Sequence, residues 1–407
     1  MSQQINKKSM ISIARKEDCC GCSVCASVCP KGCIAIKQDE EGFYYPIVNA
    51  EACISCGLCD SKCPIINNKP ESSFEQTGYV VQHKDRTILK ESTSGGAFTG
   101  LAEYIINQGG VVIGAALNED FFVEHIIVDS VKDLSKFRNS KYVQSYIAPD
   151  IYTKLKDYLI EGRLVCFSGT ACQIEALKCF LGNKNYDNLL CIDVVCRAVP
   201  SPLIFQKYIE YQNKRGESKI ASLRFRDKHF GYKFPTLSIV FAGNKKRYHR
   251  GIESDPWLRA FFSGICNRPS CYECMFKKRY RISDITIWDC FNYEDKFPSM
   301  TPNLGATNVL LHTIKGKTII KAVVGSFIAE KVNPDEQTAE ISQMTTPAIM
   351  NVNRSLFFRD AQILDSTALF EKYYPNSLKR QLLYYCRVIA LKSGVYTLIK
   401  KIYKMVN

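Results

Sequence analysis

Residues 19–33 read CCGCSVCASVCPKGC, six cysteines in fifteen positions with a proline directly after the fifth. Setting aside Cys20 and Cys33 leaves Cys19, Cys22, Cys25 and Cys29, spaced C-x2-C-x2-C-x3-C and followed by Pro30. The same spacing returns 34 residues later in CISCGLCDSKCP, as Cys53, Cys56, Cys59 and Cys63 followed by Pro64. The recurrence selects four of the six thiols and makes residues 15–66 a duplicated module.

The chemistry of those thiols depends on their compartment. The opening stretch, MSQQINKKSMISIARKEDCC, is too polar for a secretory signal, so the chain is expected in the cytoplasm. Thiols there are kept reduced, and 20 cysteines in 407 residues then point to metal binding rather than disulfides. The length allows two or three domains, with 46% hydrophobic and 23% charged residues, as in a soluble globular protein. No stretch approaches the roughly 20 apolar residues of a membrane span. The formal charge of +14 counts every cysteine as neutral. Each cubane on four thiolates carries about −2, so part of the basicity offsets bound anions. The basic residues are dispersed and accompany no nucleic-acid motif, which argues against a nucleic-acid partner.

A C-x2-C-x2-C loop wraps the backbone around an iron–sulfur cube so that three sulfurs reach three irons. The fourth cysteine, before proline, leads toward the other half of the module and in two-cluster ferredoxins ligates the other cluster. This reading assigns Cys19, Cys22, Cys25 and Cys63 to one 4Fe–4S cluster, and Cys53, Cys56, Cys59 and Cys29 to a second. Zinc suits the pattern less well, because structural zinc sites usually use two separated C-x2-C knuckles. Cys20 and Cys33 are read as packing thiols.

Residues 1–66 are therefore expected as a bacterial-type, two-cluster ferredoxin module, its first half leading into a hairpin that turns at Glu41-Gly42. The polar stretch 67–78 reads as a linker. Beyond it YVVQHK, GGVVIGAAL, VEHIIVD, LVCFSGT and LLCIDVVC read as buried strands, and GAFTGLAEYIINQ and IYTKLKDYLIEG as helices between them. The alternation predicts an α/β region with a mixed, partly parallel sheet, divided into 79–160 and 161–330. Longer strands follow Ser218, and VLLHTIKGKTIIKAVV is expected to form a hairpin around Lys315-Gly316. Residues 331–407 read as a helical basic tail. Its last 36 residues hold eight Lys or Arg and no Asp or Glu, and Val395, Leu398, Ile399, Ile402 and Val406 fall on one helical face, with Lys400, Lys401 and Lys404 elsewhere.

Two further groups of residues point to chemistry. Ser92, Thr93, Ser94, Gly95 and Gly96 precede a helix, where small residues allow close approach and free N–H groups favour phosphate, although hydroxyls cap ordinary helices equally well. Cys172, Cys196, Cys271 and Cys274 are remote from one another. Cys172 and Cys196 each follow a strand-like run, so one sheet edge could present both, with the C-x2-C pair completing a tetrathiolate site for zinc or a third cubane.

The ordered motifs STSGG, NSKYVQSY, GTACQ, VVCRAVPSP, FRDKHFGYKF, SCYEC and RISDITIWD, from about Tyr79 to Trp288, resemble the beta subunit family of coenzyme F420 hydrogenase/dehydrogenase. The resemblance implies an FAD with a 4Fe–4S cluster beside it, and carries the ligands onto Cys172, Cys196, Cys271 and Cys274. It places flavin binding at Ser92 to Gly96 and at Lys141 and Tyr142. The chain departs from the family at Ala171, at Arg197-Ala198 in place of a common His-Gly, and at CFNY after Asp289. With that histidine replaced, a proton-donor role at that position is not carried over.

The function expected from these readings is an iron–sulfur flavoprotein oxidoreductase of cytoplasmic location. Electrons would pass between a low-potential donor such as ferredoxin and, through FAD, an organic two-electron acceptor, coenzyme F420 or another small molecule. The alternative is an electron-delivery subunit with no substrate of its own, feeding a partner enzyme. Lys141, Tyr142, Arg226 and Lys228 are candidate general acids. The basic C-terminal helix is weighed as a peripheral membrane contact against packing on its own domain.

Overall fold

In the computed structural model the described residues are 11–243, 247–393 and 395. Of the helical face read from the tail, Leu398, Ile399, Ile402 and Val406, with Lys400, Lys401 and Lys404, lie outside them.

The strands run β1 (Ile34–Gln38), β2 (Tyr44–Val48), β3 (Thr77–His83), β4 (Val111–Leu117), β5 (Val123–Val128), β6 (Val165–Thr170) and β7 (Leu189–Val194). They continue as β8 (Ile220–Asp227), β9 (Thr236–Phe241), β10 (Arg247–Arg250), β11 (Ile285–Cys290), β12 (Ala306–Leu311) and β13 (Phe327–Val332). Eight of them form one mixed sheet in the order β13-β3-β12-β11-β7-β6-β4-β5. The central strands β11, β7, β6 and β4 are parallel, and antiparallel pairings carry the sheet outward on both sides. The chain is thus a mixed α/β protein.

Both faces of that sheet are covered, which is why its strands read as continuous apolar runs rather than alternating ones. Helices Ala97–Asn107 and Ile314–Val323 pack Leu101, Ile105, Ile320 and Val323 on Val112, Leu190 and Ile285. On the opposite face, helices Pro149–Ile160 and Ala171–Phe180 pack Tyr152, Leu155 and Leu177 on Val111, Phe167 and Cys191. The expected hairpin at Lys315-Gly316 is a helix instead. Thr313 Oγ1 accepts from the N–H of Gly316 at 3.1 Å and starts a helical turn, and Ile320 and Val323 then fall on one buried face. Lys-Gly resembles a turn only while its capping threonine is ignored.

Strands β8, β9 and β10 make a separate antiparallel sheet. Its core, around Trp257, Phe205, Phe225 and Phe370, also takes in Phe43 and Tyr45 from the N-terminal module. Strands β1 and β2 pair as the expected hairpin, with Gly42 at φ +81. A Cβ on Gly42 would stand 2.3 Å from that of Leu203, so the glycine also permits close docking. Glu41 at the tip holds Arg354 by two charge-assisted bonds, 2.9 and 2.5 Å.

Candidate functional site

The two cysteine loops share a backbone as well as a spacing. Gly21 (φ +71) and Ser55 (φ +54) stand two residues after Cys19 and Cys53, both left-handed. Ser23 (φ +66) and Gly57 (φ +72), also left-handed, follow Cys22 and Cys56 and open the short helices Val24–Ser27 and Leu58–Ser61. Each loop therefore bends at the same two places and turns its first three cysteines inward.

One small cavity is bordered by Cys19, Cys22, Cys25 and Cys63, and by Cys20. A second, of about 240 Å³, is bordered by Cys53, Cys56, Cys59 and Cys29, and by Cys33. Of the eight cysteines in the repeated spacing, each cavity is bordered by three from one loop and one from the opposite half.

A third cavity is lined by Cys172, Cys196, Cys271 and Cys274. Strands β6 and β7 are adjacent and parallel, so the segments after their C-terminal ends carry Cys172 and Cys196 to one edge of the sheet. Thr170 and Gln173 form a capping box that fixes the helix on which Cys172 sits. Cys271 ends the turn Pro269–Cys271, and Lys277 Nζ donates to the carbonyls of Cys196 and Arg197.

The fourth cavity, of about 380 Å³, opens beyond the C-terminal ends of β6, β7 and β11, where ligands of parallel α/β sheets bind. Ser92, Thr93, Ser94 and Gly96 line it together with Lys141 and Tyr142. Gly95 stands behind them: its N–H donates to Thr307 Oγ1 at 2.8 Å, and a Cβ there would lie 2.3 Å from the carbonyl oxygen of Val81. Gly96 (φ +79) opens helix Ala97–Asn107, and Ala97, Phe98 and Thr99 of its first turn border the cavity. Tyr142 stacks on Phe261 at 4.8 Å. Lys141 Nζ donates to the carbonyls of Lys136 and Arg138, and burial, with Arg224 nearby, pushes its pKa down to about 7. Arg226 pairs with Asp289 at 2.5 Å on the cavity wall. Lys228 is spent on the carbonyls of Leu89, Ser94 and Leu304, His229 stacks on His249, and Lys233 pairs with Glu294.

The four cavities lie in series. The third and fourth share Ser145, Thr170, Gln173, Cys196, Arg197 and Ala198 as wall. The first and third share Cys20 and Gly21, and the first and second meet at Ile11.

No group of three or more His, Cys, Asp or Glu side chains among the described residues is arranged to hold a metal ion as it stands. The donor set is nevertheless all sulfur, and its surroundings suit an anionic guest. Burial pushes the thiols of Cys25 and Cys271 up, that of Cys63 to about 11 and that of Cys196 to about 12. These sulfurs stay protonated unless a cation displaces the proton. Arg268 is fully buried between the first and third cavities, where its Nε donates to the carbonyl of Cys19 at 2.7 Å and its Nη2 to that of Tyr44 at 3.1 Å. Its Nη1 has no partner, and a Cβ on Gly21 would come within 2.9 Å of it. Burial opposes the guanidinium charge, but Cys19, Tyr45, Cys20 and Cys271 outweigh it and raise the pKa. An unpaired buried donor facing thiols is costly until negative charge arrives.

Three features escaped the sequence reading. Cys20, read as a packing thiol, does pack against the core around Tyr152 and Phe167, and it also borders two cavities. Cys33, read likewise, lies 3.3 Å from Cys29. Arg268 had no role, although it stands three residues before Cys271.

Residues 162–337 match the family model for the C terminus of the coenzyme F420 hydrogenase/dehydrogenase beta subunit. No curated protein matches the chain. Among solved structures it is similar to a chain of the xenon-derivatised F420-reducing nickel–iron hydrogenase complex from Methanosarcina barkeri, at 17% identity and a TM-score of 0.42, over 73% of this chain and 90% of that one.

Proposed function

We propose that the chain is an iron–sulfur flavoprotein that exchanges electrons between a low-potential, ferredoxin-type carrier and an organic two-electron acceptor. The observation that carries this reading is the row of four cavities, three edged by cysteines and the last at the strand ends. The match of residues 162–337 to the beta subunit family supports it. Cys19, Cys22, Cys25 and Cys63 would hold one 4Fe–4S cluster, Cys53, Cys56, Cys59 and Cys29 a second, and Cys172, Cys196, Cys271 and Cys274 a third. Ser92 to Gly96, with Lys141 and Tyr142, would hold FAD. Clusters supply single electrons, and a flavin pairs them for delivery to an organic molecule.

The chain's own residues have definable tasks. The first turn of helix Ala97–Asn107 offers unpaired N–H groups to phosphate. Tyr142 and Phe261 form an aromatic wall, and Arg226, fixed by Asp289, offers a positive edge to a flat anionic molecule. Lys141, with its pKa near 7, can hold or release a proton at Nζ close to neutral pH.

The exposed position of Cys56 puts the second cysteine site within reach of a protein carrier. Anaerobic reconstitution of the full chain tests the reading. About twelve irons and one flavin per chain are expected, with the reduced flavin oxidised by F420 or another small acceptor. About eight irons with one zinc would make the third site structural. Flavin oxidation only by a partner enzyme would make the chain a delivery subunit.

A further inference from the structure

We infer that the C-terminal helix Leu378–Lys392 docks the protein on an anionic membrane surface. A surface helix normally turns its apolar stripe to the core. Here the arrangement is reversed. The face toward the protein is held by polar and aromatic contacts: Tyr384 is buried under the Arg250 guanidinium, 3.7 Å from the ring centre. Arg380 donates to the carbonyl of Glu253 at 3.0 Å, and Arg387 pairs with the Glu253 carboxylate at 3.1 Å. Leu378, Leu382, Tyr385 and Ile389, spaced four, three and four apart, form the opposite stripe and are exposed, Leu378 at 83% and Leu382 and Ile389 at 65% each.

A second exposed apolar segment is linked to the stretch that leads into this helix. Ile349 and Val352 are 86% and 96% exposed in a loop between helices. The loop is tied through Ser263 to Tyr374, four residues ahead of the C-terminal helix: Asn351 Nδ2 donates to the Ser263 carbonyl at 3.2 Å, and Ser263 Oγ bonds the Tyr374 hydroxyl at 2.7 Å.

Charge selects the occupant. From Lys372 to Asn407 the sequence has eight Lys or Arg and no Asp or Glu; Lys372, Arg380 and Arg387 are engaged by Asp360 and Glu253, and Lys379 and Lys392 are exposed beside the stripe. A second copy of this chain would bring the same cations against themselves, whereas an anionic bilayer complements them and accepts the leucines below its headgroups. No helix among the described residues is long and apolar enough to cross a membrane, so the contact is peripheral. It does not depend on the cofactors.

The test is flotation of the full-length, anaerobically purified protein with vesicles of phosphatidylcholine alone or with about 30% phosphatidylglycerol. Binding is expected only to the anionic vesicles, weakened by added salt and about tenfold weaker in Leu382→Glu/Ile389→Glu. Val352→Asp, which leaves the helix intact, should weaken it less. Iron content and unfolding temperature of the variants serve as fold controls. Absence of binding, or equal binding by the double variant, overturns the inference. A native dimer that the double variant converts to monomer overturns it as well, by showing that a second copy covers the stripe.

Discussion

The cysteines between residues 19 and 63 and those between 172 and 274 gather in different ways. In the first region, each loop brings three thiols together through local bends, at Gly21 and Ser23 or at Ser55 and Gly57, and borrows a fourth from its twin. In the second, adjacent parallel strands set the positions of Cys172 and Cys196, and a distant turn adds Cys271 and Cys274. A locally made site can lose its ligand without disturbing the fold. A site made by the sheet is part of the fold, and Cys196 also edges the cavity assigned to flavin.

Substitution at matched positions separates the two regions most widely. Cys196→Ser is expected to cost about four of about twelve irons together with most of the bound flavin, whereas Cys56→Ser should cost about four irons and leave flavin in place. Iron and flavin analysis of the purified variants checks this, and equal flavin loss in both would erase the distinction.

A smaller effect is expected at the junction of the regions. Arg268 faces thiols of both, and removing its buried positive charge would make a cluster proposed at either neighbouring site harder to reduce. Arg268→Gln should lower the potentials of the first and third sites by roughly 30–100 mV and leave the second unchanged, as read by anaerobic redox titration with EPR detection. A shift confined to one site would place the guanidinium with that region alone.

The smallest effect concerns acid stability. Residues 1–66 contain no histidine. In the sheet region burial pushes His125 down to about 4, and burial with Arg281 pushes His312 down to about 3. Both folded values lie below the ordinary 6.5, so the unfolded chain binds protons that the folded one refuses. Their stabilising contribution is complete above pH 6.5 and falls as the pH drops toward the folded values. His312→Gln should flatten the loss of stability between pH 6.5 and 5 by up to about 1.4 kcal/mol per pH unit, measured by urea unfolding. An unchanged slope would assign the acid sensitivity elsewhere.

Much of this division is legible in the sequence. The runs at 165–170 and 189–194 read as buried strands because helices cover both of their faces, and the same reading puts Cys172 and Cys196 on one edge. The duplicated spacing picks out eight of the ten cysteines that border the first two cavities. The place of Arg268 was not legible, because its partners Cys19 and Tyr44 precede it by 249 and 224 residues and meet it only when the hairpin docks. Cys20 was hidden for the same reason: its neighbour Cys172 belongs to another layer. The helix at Ile314–Val323 was missed because Lys-Gly outweighed the capping hydroxyl of Thr313.

The clasp between Glu41 and Arg354 joins residues 313 apart in the chain. At roughly 5–20 residues per second of synthesis, the second partner emerges about 15–60 s after the first. Through that interval the N-terminal thiols are already outside the ribosome while part of their docking surface is still being made. The late arrival of one arginine thus sets how long the earliest part of the protein waits for its last contact.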